Sequence, residues 1–129
     1  MSLEKAKVLL VGAGGIGCEV LKNLAMAGCK EIHCVDLDTI ELSNLNRQFL
    51  FRKKDIGRSK AITAVESVKQ WAIEGTLIEA YFCDIKDKKI FSLEFFNSFD
   101  VVLNALDNIG NKETNEKMHE DMLILYAKH

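Results

Sequence analysis

The chain has 129 residues, 48% hydrophobic and 28% charged, enough for one domain that buries a core. Its formal net charge of −2 and pI near 5.9 lack the basic excess of a surface built for nucleic acid or an anionic membrane. No apolar run approaches the roughly 20 residues that cross a bilayer, and Met1–Lys5 carries no signal-peptide stretch, so an intracellular place, nucleus or cytoplasm, is expected.

Lys7–Val11 is almost wholly apolar, the pattern of a central parallel strand covered on both faces. Gly12-Ala13-Gly14-Gly15-Ile16-Gly17 follows it directly and opens a helix in which Val20, Leu21, Leu24 and Ala27 form a sheet-facing stripe, ended by Gly28. Glycines there remove side chains where backbone must approach phosphate, and a helix N-terminus offers unpaired N–H groups to negative charge. Glycines also make ordinary tight turns, so the strand and helix on either side carry the nucleotide reading.

Glu31–Val35 is the second strand, closed by Asp36 and Asp38. Asp36 lies 22 residues after Gly14, where such folds place a carboxylate that hydrogen-bonds a ribose hydroxyl. It is expected to face solvent at the strand end and to carry no packing; Asp38 is either part of a polar site or the start of an Asx-turn. In the segment that follows, Arg47 is a planar fork suited to phosphate oxygens, and Lys60 adds a point charge at a helix start. Both also fit the description of solvated loop charges. Phe49, Leu50 and Phe51 are adjacent and followed by Arg52-Lys53-Lys54, which suits core or interface better than a base-stacking platform.

Ser59–Ala72 carries Ala61, Ala64, Val65, Val68 and Ala72 at helical steps, with Gly75 as a stop signal. Thr76–Phe82 is β-rich, a mixed segment follows, Asp100–Asn104 reads as another buried strand, Asn111–Glu120 as a polar helix and Met122–Tyr126 as a last strand. The alternation predicts an α/β, Rossmann-like fold: a mostly parallel sheet, truncated, with helices on both faces. Asp107, just after a strand, could meet the glycine loop beyond the carboxyl ends of the strands, where a carboxylate suits magnesium; it could equally cap the next helix. Cys18, Cys29, Cys34 and Cys83 form no Cys-x-x-Cys pair and read as buried thiols.

Val8–Gly17, Cys18–Leu24, Val35–Ile40, Ser43–Phe51, Asp55–Ala61 and Asn104–Asn108 resemble the adenylation domain of the activating enzymes for ubiquitin and ubiquitin-like proteins. The strings Ser-Asn-Leu-Asn-Arg-Gln-Phe-Leu-Phe and Gly-Arg-Ser-Lys-Ala are its most specific part, and Asn104–Asn108 with the wording of the first half is most similar to the larger subunit of the SUMO-activating branch, the NEDD8- and ubiquitin-activating branches being close behind. The resemblance implies ATP- and magnesium-dependent adenylation of the C-terminal glycine of a ubiquitin-like protein, SUMO first among them, by a heterodimer whose smaller subunit contributes an arginine. Carried over by position, Gly12, Gly14, Gly15 and Gly17 would face the phosphates and Asp36 the ribose, with Asp38 beside it. Asn44, Arg47 and Gln48 would reach ribose and phosphates, and Lys60 the phosphates. Asp84 and Ile85 would hold the adenine, partly through backbone, and Asp107, with Asn108 after it, the magnesium. Arg47, Lys60 and Asp107 are the residues through which the resemblance would have the chain act on the reaction.

Two departures qualify this. After Asn108 the family carries arginines, where Ile109-Gly110-Asn111-Lys112 leaves only Lys112 to face a phosphate. The family also continues into a cysteine domain and a ubiquitin-like domain that this chain lacks, and none of its four cysteines holds the thioester position, so residues 1–129 are expected to be a partial adenylation domain of a longer enzyme. A nicotinamide-dependent oxidoreductase domain would share the glycines and Asp36 but gives no reason for Asn44–Gln48 or Lys60. A non-catalytic subunit would keep the fold and bind only a partner.

Overall fold

In a computed structural model of the chain, the described residues are 3–42, 45 and 50–105. Four strands, β1 (Lys7–Val11), β2 (Glu31–Val35), β3 (Leu77–Tyr81) and β4 (Val101–Asn104), form one sheet in the order β3-β2-β1-β4. Every pairing is parallel, with Val11 level with Val35 on one side and with Asn104 on the other. The polar helix expected over Asn111–Glu120 and the strand over Met122–Tyr126 lie outside the described residues.

From β1 the chain moves outward through β2 to β3, then returns across the sheet to pair β4 with the free side of β1. Parallel crossovers are right-handed, so this reversal must put the returning connection on the opposite face from the first two. Helices α1 (Gly15–Met26) and α2 (Lys60–Val68) accordingly pack with Val8, Leu10, Ile32, Cys34 and Ile78. Phe91, Phe99 and Ile85 from the returning connection pack with Leu9, Val11 and Val35 on the other face. Both faces of β1 are therefore covered, which is why that strand reads as an unbroken apolar run.

Four of the five expected strands fall where the sequence placed them, to within a residue, with β4 half-buried and not fully buried. The helices shift more. The buried stripe of α1 is Gly17, Cys18, Leu21 and Ala25; Val20 and Leu24 are only partly covered, and Ala27 is an exposed cap residue. The cause is local: the helix begins so close to β1 that its first turn, including Gly17, lies against the strand end. Ser59 does not enter α2 but caps it, its hydroxyl accepting the Ile62 N–H at 3.2 Å. The helix tightens at Lys69–Trp71 into a 3-10 turn, where the Trp71 ring lies 4.9 Å beneath the Lys22 ammonium of α1.

A third helix, α3 (Leu93–Asn97), sits in the segment read as mixed. Five residues are too few for periodicity to show, and its signal is Ser92, whose hydroxyl accepts the Phe95 N–H at 3.2 Å. It closes an aromatic cluster: Phe95 is 5.0 Å from Phe99 and 5.2 Å from Phe91, and Phe99 meets the His33 ring edge-on at 5.0 Å. Such pairs are each worth about 0.5–1.5 kcal/mol beyond the area they bury. No helix among the described residues is long and apolar enough to cross a membrane.

Candidate functional site

The sheet order reverses at β1, so the carboxyl ends of β1 and β4 flank the crevice where open α/β sheets bind ligands. The glycine loop leaves β1 at that point. Gly12 donates its N–H to the Val35 carbonyl at 2.8 Å and has φ of +107°, a conformation that L side chains rarely adopt. Gly14 then stands at the head of α1 in extended conformation, with no side chain capping the first turn. The leading N–H groups of that helix therefore have no side-chain acceptor at the cap, the condition for an anion site.

Asp36 leaves the end of β2 and turns under the loop. Its Oδ2 accepts the Ala13 N–H at 2.7 Å and its Oδ1 the Asp38 N–H at 2.8 Å. The residue is 6% exposed, which corrects the expectation of a solvent-facing carboxylate without structural duty: both oxygens are already engaged by backbone. Burial pushes the Asp36 carboxyl above its ordinary value, against the opposing pull of the Asp38 and Ala13 donors.

The same turn continues to Lys60. The Asp38 carbonyl accepts the Lys60 backbone N–H at 3.1 Å, and the Lys60 Nζ stands 4.0 Å from Asp38 Oδ2. Around it, Thr39 bridges Ser59 in antiparallel fashion, Ile40 N–H donates to the Arg58 carbonyl at 2.9 Å and Gly57 N–H to the Ile40 carbonyl at 2.8 Å. This staple brings residues twenty apart in sequence to one place and opens α2 beside the glycine loop. Lys60 is only 9% exposed, not the solvated loop charge it could have been, and its charge acts on both Asp36 and Cys18.

Gly12, Gly14, Gly15, Gly17, Asp36, Asp38 and Lys60 are thus gathered at the carboxyl ends of β1 and β2. Asp84 and Ile85 lie just beyond β3, one strand further out. Asp84 is exposed and its Oδ1 accepts the Lys86 N–H at 2.9 Å; the Ile85 side chain is buried in the second core cluster, leaving its backbone as the part that could meet a ligand. Asn44, Arg47, Gln48, Asp107, Asn108 and Lys112 lie outside the described residues. Among those described, no group of three His, Cys, Asp or Glu could hold a metal ion.

Sequence reasoning missed one contributor. The Cys18 thiol, on the buried face of α1, donates to the Ala13 carbonyl at 3.3 Å, and burial pushes it up to about 12, so it stays protonated. Its spacing with Leu21 and Ala25 marks a core position, but nothing in the sequence places the loop carbonyl above it.

Compared with known proteins, residues 1–117 match the ThiF family. Among curated proteins the chain is similar to SUMO-activating enzyme subunit 2 of Dictyostelium discoideum, 57% identical over 108 residues that make up 84% of this chain and 16% of that protein. SUMO-activating enzyme subunit uba-2 of Caenorhabditis elegans is 54% identical over 82% of this chain and 18% of its own length. The NEDD8-activating enzyme E1 catalytic subunit of C. elegans is 47% identical over 98% and 28%. The chain thus spans less than a third of these relatives. Among solved structures, E. coli MccB with AMPCPP and MccA superposes with a TM-score of 0.71 at 28% identity, over 91% of this chain and 34% of that one.

Proposed function

The chain belongs to the ThiF family, and from that premise we propose that it forms the nucleotide-binding part of an enzyme that adenylates the C-terminal glycine of a ubiquitin-like protein, SUMO being the favoured modifier. The observation that supports this reading is the convergence of a glycine loop at an uncapped helix start, a buried carboxylate and a buried lysine: Ala13 on Asp36 at 2.7 Å, with Lys60 tied to the same turn. A dinucleotide oxidoreductase would share the glycines and Asp36 but gives no reason for Lys60. The relatives are named as SUMO- and NEDD8-activating enzymes, and MccB was solved with the adenine nucleotide AMPCPP.

In the reaction a carboxylate oxygen of the modifier's terminal glycine attacks the α-phosphorus of ATP, the bond to the bridging oxygen breaks, and pyrophosphate leaves with that electron pair. The barrier is mostly charge brought against charge, so fixed positive potential and in-line positioning are what the protein must supply. The N-terminus of α1 and the Lys60 ammonium supply the first. In this proposal Arg47 and Lys112 add charge on the phosphates, Asn44 and Gln48 reach ribose and phosphates, Asn108 lies among the nucleotide-binding residues, Asp84 and Ile85 would hold the adenine, and Asp107 would hold magnesium, which supplies charge neutralisation when bound. A smaller activating subunit completes the site with its own arginine, so the chain by itself should associate with a partner and turn over little.

Titration with ATP-magnesium and with NADH separates the classes: ATP binding without NADH binding is expected, and the reverse would overturn the proposal. ATP–pyrophosphate exchange with SUMO, with and without the smaller subunit, then tests the chemistry. A stable monomer with strong exchange alone would refute the need for a partner.

A further inference from the structure

Asp36 stands between the two parts of the site that meet phosphate. On one side its Oδ2 holds the Ala13 N–H of the glycine loop at 2.7 Å, and on the other its Oδ1 holds the Asp38 N–H at 2.8 Å. Asp38 passes the connection on through its carbonyl to the Lys60 N–H at 3.1 Å and through its carboxylate to the Lys60 ammonium at 4.0 Å. The loop and the lysine are thus linked through one buried carboxylate. The far end of the Ala13 peptide unit is held as well: its carbonyl accepts the Cys18 thiol at 3.3 Å, while Gly12 N–H is fixed on Val35 and Cys18 N–H on the Gly14 carbonyl, each at 2.8 Å. The protein therefore holds the Gly12 and Ala13 peptides of the loop from below.

We propose that Asp36, with Cys18 beneath it, is a positioning residue for the phosphate subsite, acting through the Ala13 and Asp38 peptides whatever it also does for a ribose. The inference rests on the nucleotide reading above and adds to it a role that needs no nucleoside. A carboxylate suits the place because it offers two acceptor oxygens to two N–H donors. An amide offers one oxygen and sets an NH2 against the other donor, leaving a buried N–H unpaired. A peptide free to rotate at Ala13 turns the loop, and displacements of about 1 Å are enough to cost orders of magnitude in a site built on positioning.

The test compares ligands with and without a ribose. Wild-type chain, Asp36→Asn, Cys18→Ala and Cys18→Ser are titrated by calorimetry with ATP-magnesium, magnesium tripolyphosphate and adenosine, after melting curves establish that each is folded. A positioning role predicts that Asp36→Asn loses tripolyphosphate affinity about ten-fold or more, alongside its loss of ATP, since a charged acceptor shared by two amides is lost. Cys18→Ala weakens tripolyphosphate severalfold and Cys18→Ser, which donates again, restores it. A merely structural thiol would show loss of melting temperature without that rescue. Unchanged tripolyphosphate binding in Asp36→Asn, with ATP and adenosine weakened together, reduces Asp36 to a ribose contact and overturns the inference while leaving the nucleotide reading intact. If Asp36→Asn does not fold, the cysteine pair decides: equal tripolyphosphate affinity in wild type, Cys18→Ala and Cys18→Ser overturns it. Wild type that binds neither ATP nor tripolyphosphate removes the nucleotide reading and this role together.

Discussion

Gly17 of α1 is packed against the main chain of Gly12: a Cβ at 17 would overlap the Gly12 carbonyl oxygen and lie 2.8 Å from its carbon. Helix and loop are joined by that contact, and neither partner is a flexible side chain that could yield.

Gly17→Ala should therefore cost about 3 kcal/mol or more, at or above the usual range for overpacking, because the backbone itself must shift. Chemical denaturation measures it. A variant within 1 kcal/mol of wild type would mean that the loop relaxes freely.

Lys60→Met should cost little stability, since among the described residues its ion-pair partner is the exposed Asp38 carboxylate at 4.0 Å, which stays hydrated when the ammonium is removed. It should nonetheless weaken ATP far more than adenosine, and Arg47→Ala should do the same. Equal losses for the two ligands would assign these residues a structural role.

The pH dependence of Asp36 runs opposite to that of a salt-bridged carboxylate. Its folded value is raised above 3.8 by burial, so the native state binds more protons than the unfolded chain over the interval between them. The contribution of this group to stability is therefore fully present below the unfolded value and lost as pH rises through the folded one. Wild type should gain stability relative to Asp36→Asn as pH falls from 7 towards 4, while ATP affinity falls because a protonated carboxyl accepts poorly from two amides. A stability difference that stays flat across that range would contradict the assignment.

Cys18, Cys29 and Cys34 are fully buried and Cys83 is only half-buried. Burial raises all four thiols, Cys18 to about 12. A disulfide reagent applied to the native chain should label about one thiol quickly, through exposure and not through thiolate character, and Cys83→Ser should remove that phase. Rapid labelling of Cys18 would show that the floor of the loop opens.

Thr63 on α2 is 2% exposed and its hydroxyl has no hydrogen-bond partner among the described residues. Thr63→Val keeps the shape and removes an unpaired polar group, so it should stabilise by about 1 kcal/mol. A loss of stability would indicate that the hydroxyl finds a bonding partner in solution.

The strands were legible because burial on both faces leaves a mark that needs no knowledge of neighbours: Lys7–Val11 and Glu31–Val35 are read off as runs. Helix edges were less so. Ala27 and Ala72 continue an apolar spacing past the point where the backbone leaves the helix, and α3 is too short to have a period. Lys60 illustrates the limit at the site. Its place at a helix start was visible, but whether it was solvated or buried depended on the Thr39–Ser59 bridge, made between residues twenty apart.

The order of residues alone determined that a glycine loop follows an apolar strand, that an acid pair closes the next one, and that the chain alternates strand and helix, because each of these is a local pattern of side-chain size and polarity. Only the tertiary structure decided that the sheet reverses at β1, that Asp36 is buried under Ala13 with both oxygens engaged, and that the Cys18 thiol supports the same peptide. Those relations join residues from separate elements, and a hydrogen bond between Asp36 and Ala13 exists only once β1 and β2 have paired and brought the Asp36 carboxylate within 2.7 Å of the Ala13 N–H.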